Sequence, residues 1–202
     1  MYAAGHMAIG YLLARIQNQD NALNIPIIWA LSILPDIDLL IPNLEHRGPT
    51  HSLLFSLIIF LPLIIHLKGK IIPYYTALLS HSVIDLFTNN GTQFLWPISD
   101  KNFRFPYTLK MGTTSEGIIE IILFAIMILI IILYKDHNKL IQYTNNLIIT
   151  SIFLIFIASI SIKYAYSTPK ILLIPHITLV GIIFASFIAS ISKKLINIFK
   201  KE

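Results

Sequence analysis

The sequence predicts an all-α, polytopic integral membrane helical bundle with about 5–7 membrane-embedded helices. Three observations carry that expectation. Of the 202 residues, 55% are hydrophobic and 12% are charged, where a soluble domain carries about 25% charged residues. Seven apolar runs alternate with polar turns. The few acids and histidines gather at the run ends that alternate crossing would place on one side. The chain reads as a single membrane-embedded domain, residues 1–202, with the chemistry in 1–120 and further membrane helices in 121–202.

Residues 3–16 read as a helix, with His6, Gly10 and Leu13 near one face and Arg15 at the end. Asn18 to Asn21 is a polar turn. Residues 23–34 are apolar up to Pro35, and Asp36-Ile37-Asp38 follows. Both runs fall short of the roughly 20 residues of a comfortable span, so they cross with strain or lie buried or re-entrant. His46-Arg47-Gly48-Pro49-Thr50-His51-Ser52 is polar, and its Gly-Pro pair makes it a turn. Residues 52–67 form the next run, interrupted by Pro62, which membrane helices tolerate. Lys68-Gly69-Lys70 turns the chain, and residues 71–87 run back with His81 and Asp85 near the far end. A long polar loop covers 88–116, and residues 117–134 are apolar except for Glu120. Two more apolar helices are expected at 147–162 and 171–192.

If all seven runs cross, nine basic residues fall on one side and six on the other, which favours a multi-pass protein with a cytoplasmic C-terminus. The N-terminus lacks the charged region of a secretory signal, so the first helix is expected to stay in the protein. The net charge of +5 fits basic loops meeting anionic lipid. No nucleic-acid partner is expected, because no RNP motif, zinc-finger spacing or basic amphipathic arm is present. There are no cysteines, which excludes disulfides and thiolate metal sites.

His6, Asp36, Asp38, His46, His51, His81, Asp85, Glu116 and Glu120 all fall near the six-charge side. His81 and Asp85 stand at i and i+4, on one helical face, near enough to ligate one ion or two adjacent ones. The plain alternative is a neutral histidine bonded to its own aspartate. Asp36 and Asp38 offer paired carboxylates for a divalent cation, or simply a solvated turn. His51 could ligate at the helix start, His46 could ligate or act as a general acid or base, and Arg47 could clamp a phosphate. Glu116 and Glu120 repeat the i, i+4 spacing, with Glu120 deeper in its helix and Glu116 also explicable as a helix N-terminal acid. His66, His137 and His176 have no acidic partner at useful spacing and read as interfacial or packing residues.

These residues together resemble the membrane-bound metal-dependent hydrolases, the YdjM-like inner-membrane family. The resemblance covers residues 5 to 97: Gly5-His6-Met7-Ala8-Ile9-Gly10, Pro35-Asp36-Ile37-Asp38, the His46 to Ser52 block, and His81 to Gly91. It implies a helical fold similar to the zinc-dependent phospholipase C and single-strand nuclease superfamily, whose members cleave phosphoesters at zinc held by His and Asp. Carried over, it implies His6, Asp36, His51, His81 and Asp85 as metal ligands, with Glu116, Asp38 and Glu120 as further ligands. It implies His46 and Arg47 as catalytic or substrate-contacting groups. The expected cofactor is a divalent metal, zinc first, with room for more than one ion.

The mechanism this implies is hydrolysis of a phosphoester of a lipid or lipid-linked substrate by metal-activated water. A carboxylate, Asp38 or Glu120, receives the proton, and Arg47 offsets phosphoryl charge. The competing readings are a metal-free lipid phosphatase built on the His81-to-Asp85 unit, a divalent-metal transporter or sensor, and a structural protein whose polar cluster only ties helices together.

Overall fold

The computed structural model describes residues 1–17, 23–136, 157, 159–160, 162–163 and 169–199. The helix expected over 147–162 lies almost wholly outside them, and His137 lies outside them altogether. The described residues are all helical with no strands; two isolated bridges, Thr88 to Leu109 and Thr92 to Phe103, are the only strand-like pairings among them.

Helix α1, Ala3–Gln17, is the hub. It packs against α2 (Ile25–Ile33), α4 (Ile72–Asp85) and α5 (Thr114–Leu133). Ala3, Ala4, Ala8 and Ala14 are fully buried, and small residues of this kind let helix backbones approach closely. Gly10 is the tightest point: a Cβ there would lie 1.9 Å from Ser32 Oγ and 3.5 Å from Ala77 Cβ. That closeness brings α1, α2 and α4 together one turn from His6.

Helix α2 starts on Asn24, whose side chain accepts from the Ile27 N–H, with Pro26 in the first turn. It runs into a 3-10 stretch, Leu34–Leu40, that carries Asp36 and Asp38. A single 3-10 turn, Pro49–His51, leads to Ser52, which caps α3 (Leu53–Leu67) by accepting from the Phe55 N–H. Helix α5 is capped by Thr113, and Glu116 reaches back to the Gly112 N–H, a variant of the capping box. Helix α6, Leu173–Phe199, closes the described chain.

Two helical stretches among the described residues are long and apolar enough to cross a membrane, Leu53–Asp85 and Thr114–Leu133, in place of the five to seven expected. Only 6% of the most apolar part of the first and 28% of that of the second is buried, so both show apolar flanks to their surroundings. The first stretch is folded. Lys68 adopts a φ of 50°, and the Phe60 and Tyr75 rings stand 5.4 Å apart, so α3 and α4 form an antiparallel hairpin. Each arm has 15 or 14 residues, a rise of about 21–22 Å at 1.5 Å per residue. The short runs at 3–16 and 23–34 have a different fate: α1 and most of α2 are buried within the bundle, so length does not limit them.

The 88–112 loop is ordered over one end of the bundle. Leu109 N–H donates to Phe87 O, Phe103 and Thr92 exchange two bonds, and Gln93 N–H donates to Arg47 O. Gly91 takes a φ of +66°, and a Cβ there would meet the Phe103 carbonyl at 2.3 Å, so both conformation and space require glycine.

Candidate metal centre

The N-terminal end of α1, the 3-10 stretch after α2, the 3-10 turn before α3 and the end of α4 meet at one place, and each brings side chains able to ligate a metal. His81 comes from α4. Its Nδ1 lies 2.7 Å from the Ser32 carbonyl oxygen, which can only accept, so the proton sits on Nδ1 and the Nε2 lone pair faces the cluster. The carbonyl is available because α2 ends at Ile33, where helix carbonyls lack intrahelical donors. In the 3-10 register that follows, its partner would be the nitrogen of Pro35, which has no proton.

Two further donor atoms close a triangle with that lone pair. His51 Nε2 lies 3.1 Å from His81 Nε2, Asp36 Oδ1 lies 3.4 Å from His81 Nε2, and Asp36 Oδ1 lies 3.5 Å from His51 Nε2. A tetrahedron with bonds of about 2.1 Å has edges of about 3.4 Å, so these separations suit three vertices of one zinc-sized shell with the fourth open. Asp36, His51 and His81 are all fully buried. Among the described residues two further groups could hold an ion, His6 with His81 and Asp85, and Asp38 with His46 and His51. His6 stacks on His81 at 3.7 Å and approaches Asp85 Oδ1 at 3.4 Å; its Nδ1 is buried without a hydrogen-bond partner. His81 has one lone pair to give, so the first two groups compete for it.

Asp38 stands behind the cluster. Its Oδ1 faces His46 Nδ1 at 3.0 Å, and its Oδ2 accepts from the Arg47 N–H at 3.1 Å and the Thr50 hydroxyl at 2.9 Å. The same oxygen lies 3.3 Å from His51 Nδ1, which directs Nε2 of that ring at the cluster, the carboxylate–histidine arrangement common behind metal ligands. These contacts leave Asp38 poorly placed as the expected proton acceptor and make it an orienting group. His46 is about one-third exposed and is the most accessible imidazole of the set.

Burial alone would raise the pKa of both carboxyls and lower that of His51. Against it, when no ion is bound and the rings carry their second protons, the charge of His81 and hydrogen bonds from His51 and His81 hold Asp36 well below the usual carboxylate range. Hydrogen bonds from His46 and His51 do the same for Asp38. Hydrogen bonds to Asp36 and Asp38, also working against burial, push His51 up to about 9. The pocket therefore keeps Asp36 and Asp38 ionised despite their burial, the state in which a carboxylate can ligate a cation. A divalent ion would displace the His51 proton on binding.

The remaining expected residues are placed differently. Arg47, in a positive-φ conformation, is buried; it donates to Thr88 Oγ1 and to the Gly91 carbonyl and stands 3.4 Å from Asp85 Oδ2. Glu120 is drawn away from the expected proton-acceptor role: its two oxygens accept from the backbone N–H groups of Tyr2 and Gly5 at 2.7 and 3.0 Å, capping α1. Glu116 accepts from Gly112 N–H and joins none of the three metal-suited groups. His66 is exposed, and His176 is buried with Nδ1 bonded to the Leu172 carbonyl. Sequence reasoning missed the Ser32 carbonyl and Thr50. The Pro35 position carried a signal for the first, and a hydroxyl directly before His51, in the block that also holds His46, carried one for the second.

A sequence model of the family described as YdjM inner membrane protein matches residues 1–167. Among curated proteins the chain is similar to "Uncharacterized protein YvsG" of Bacillus subtilis (strain 168), 37% identical over 76 residues. The matched stretch is 37% of this chain and 47% of that protein, so the match spans about half the relative's length. No solved structure matches.

Proposed function

The chain belongs to the YdjM inner membrane protein family, and from that premise we propose that it is a membrane-bound hydrolase that uses a divalent metal, zinc first, to cleave a phosphoester of a lipid or lipid-linked substrate. The observation that supports this most is the triangle of Asp36 Oδ1, His51 Nε2 and His81 Nε2 at 3.1–3.5 Å, with one vertex open. Those three would hold the ion, and His6 and Asp85 stand beside it for the same shell or a second one. When bound there, the ion supplies Lewis acidity and lowers the pKa of a coordinated water toward about 7.

The chain's own groups do the rest. Asp38 and Thr50 fix the ring of His51, and the Ser32 carbonyl fixes that of His81. His46, held by Asp38 and partly exposed, is the group placed to pass a proton to a leaving oxygen. Arg47, beside Asp85, offsets negative charge gathering on a phosphoryl group. A metal-free phosphatase is the weaker reading. Its histidine nucleophile would be His81, whose lone pair is enclosed by three other potential ligands. Stripping the detergent-purified protein with a chelator should abolish hydrolysis of phosphoester lipids in mixed micelles, and zinc should restore it. Undiminished turnover in excess chelator contradicts the metal-dependent reading.

The same reading makes the protein multi-pass, with the site facing away from the cytoplasm and the C-terminus inside. The chain has no cysteine, so single substitutions report cleanly. In intact cells a membrane-impermeant maleimide should label Tyr107→Cys, at a position 92% exposed on the loop at the site end, and spare Gly69→Cys at the hairpin tip. The reverse pattern inverts the topology.

A further inference from the structure

A cleft of about 570 Å³ opens between α4 and α5 beside the metal centre. Met1 and Ile9 floor it, Ile84 forms one wall, Ile119 and Leu123 form the other, and Tyr107 lies on its lip. We infer that this cleft takes one acyl chain of a membrane lipid that arrives sideways from the bilayer, with the lipid's phosphate directed at the His/Asp cluster. The inference rests on the hydrolase reading above and gives it a substrate class.

Two features argue for a lipid chain over any other occupant. Ile84 on one side and Ile119 and Leu123 on the other belong to the two stretches long and apolar enough to cross a membrane, and the 106–109 loop closes one end, so the open side of the cleft meets hydrocarbon. Its outer rim agrees: Phe87 and Ile119 are 43% and 37% exposed. An apolar slot facing that medium fills with hydrocarbon, since it offers backbone partners to nothing polar. The inner end is the opposite in character. Ile84 adjoins Asp85, and the Met1 nitrogen lies 3.2 Å from Asp85 Oδ1. Arg47 approaches the other oxygen of Asp85 at 3.4 Å, bringing a guanidinium that suits a phosphate. The floor runs from Met1, just ahead of α1, to Ile9, and α1 itself rises about 9 Å between Ala3 and Ile9. A slot apolar along its length, with a cation and metal ligands at one end, matches a molecule with a hydrocarbon chain and a phosphate head. A small soluble phosphoester would leave it unused.

The test uses the full chain reconstituted in vesicles doped with phosphatidic acid carrying a diazirine on one acyl chain. After irradiation, peptide mapping should place the label on the Met1–Ile9 and Ile119–Leu123 segments. Ile119→Trp, which fills the slot, should remove that label, and Ile119→Ala should keep it. Ile59→Trp, on the exposed outer face of α3, should leave it unchanged. Retained metal in each variant reports that the cluster is folded. Label spread evenly over α3 and the cleft, or label indifferent to Ile119→Trp, overturns the inference. Turnover of a soluble phosphomonoester with the cleft unlabelled also overturns it, and leaves the hydrolase reading standing. A labelled cleft in a protein that hydrolyses no phosphoester supports the acyl site and removes the hydrolase reading instead.

Discussion

His81→Ala should lose both the bound metal and the proposed hydrolysis, the latter to the uncatalysed background. The expectation follows from position. His81 is shared by two of the three metal-suited groups, its tautomer is set by the Ser32 carbonyl, and its Nε2 lies within 3.8 Å of His51, Asp36 and Asp85. Removing it leaves two of three vertices of the tightest triangle, too few to fix a catalytic zinc, which takes three protein ligands. Glu120→Gln is the informative contrast. Its two oxygens cap α1, and an amide keeps one acceptor, so the variant should keep its metal and lose about 1 kcal/mol of stability. Elemental analysis and thermal unfolding of the two variants side by side separate the roles. Full metal occupancy in His81→Ala removes it from the ligand set; metal loss in Glu120→Gln puts that carboxylate back into the site.

Asp136→Ala should be the most destabilising change far from the site. Asp136 is fully buried, accepts from the Tyr11 hydroxyl at 2.8 Å and pairs with the Arg15 guanidinium, which is itself buried and lies 5.0 Å from the centre of the Tyr134 ring. Removing the carboxylate leaves a buried cation without its main counter-charge, a change that costs about 3–5 kcal/mol. For a chain of this size that corresponds to a fall in melting temperature of about 10 °C. Replacing both partners by apolar side chains, Arg15→Met with Asp136→Leu, should recover most of the loss, because no stranded charge remains. Metal content should be unchanged in both, since Arg15 lies about 13 Å along α1 from His6. A fall in melting temperature no larger than that of a surface substitution would show that the pair contributes little.

Much of this arrangement was legible in the sequence because it depends on local pattern. The run ends, the turn at Lys68 to Lys70, and the sorting of His and Asp toward one end follow from hydropathy and spacing, and the structure brings His6, Asp36, His51, His81 and Asp85 together. Information that depends on partners was not legible. Glu120 looks like a deep catalytic carboxylate until α1 is placed beside it with two N–H groups to satisfy. Asp136 sits in a polar stretch that reads as loop, and only the packing of α5 against α1 brings it to Arg15. Among the described residues, counting spans run by run gave more than the two stretches long and apolar enough to cross, because α1 and most of α2 are covered by neighbouring helices.

The most direct check is metal analysis of detergent-purified wild type and His51→Ala after equilibrium dialysis against zinc. The wild type should retain about one equivalent or more and the variant none above background, because losing His51 opens the Asp36–His51–His81 triangle. A wild type that retains no divalent ion, or a variant that retains as much as the wild type, contradicts the metal-centre assignment.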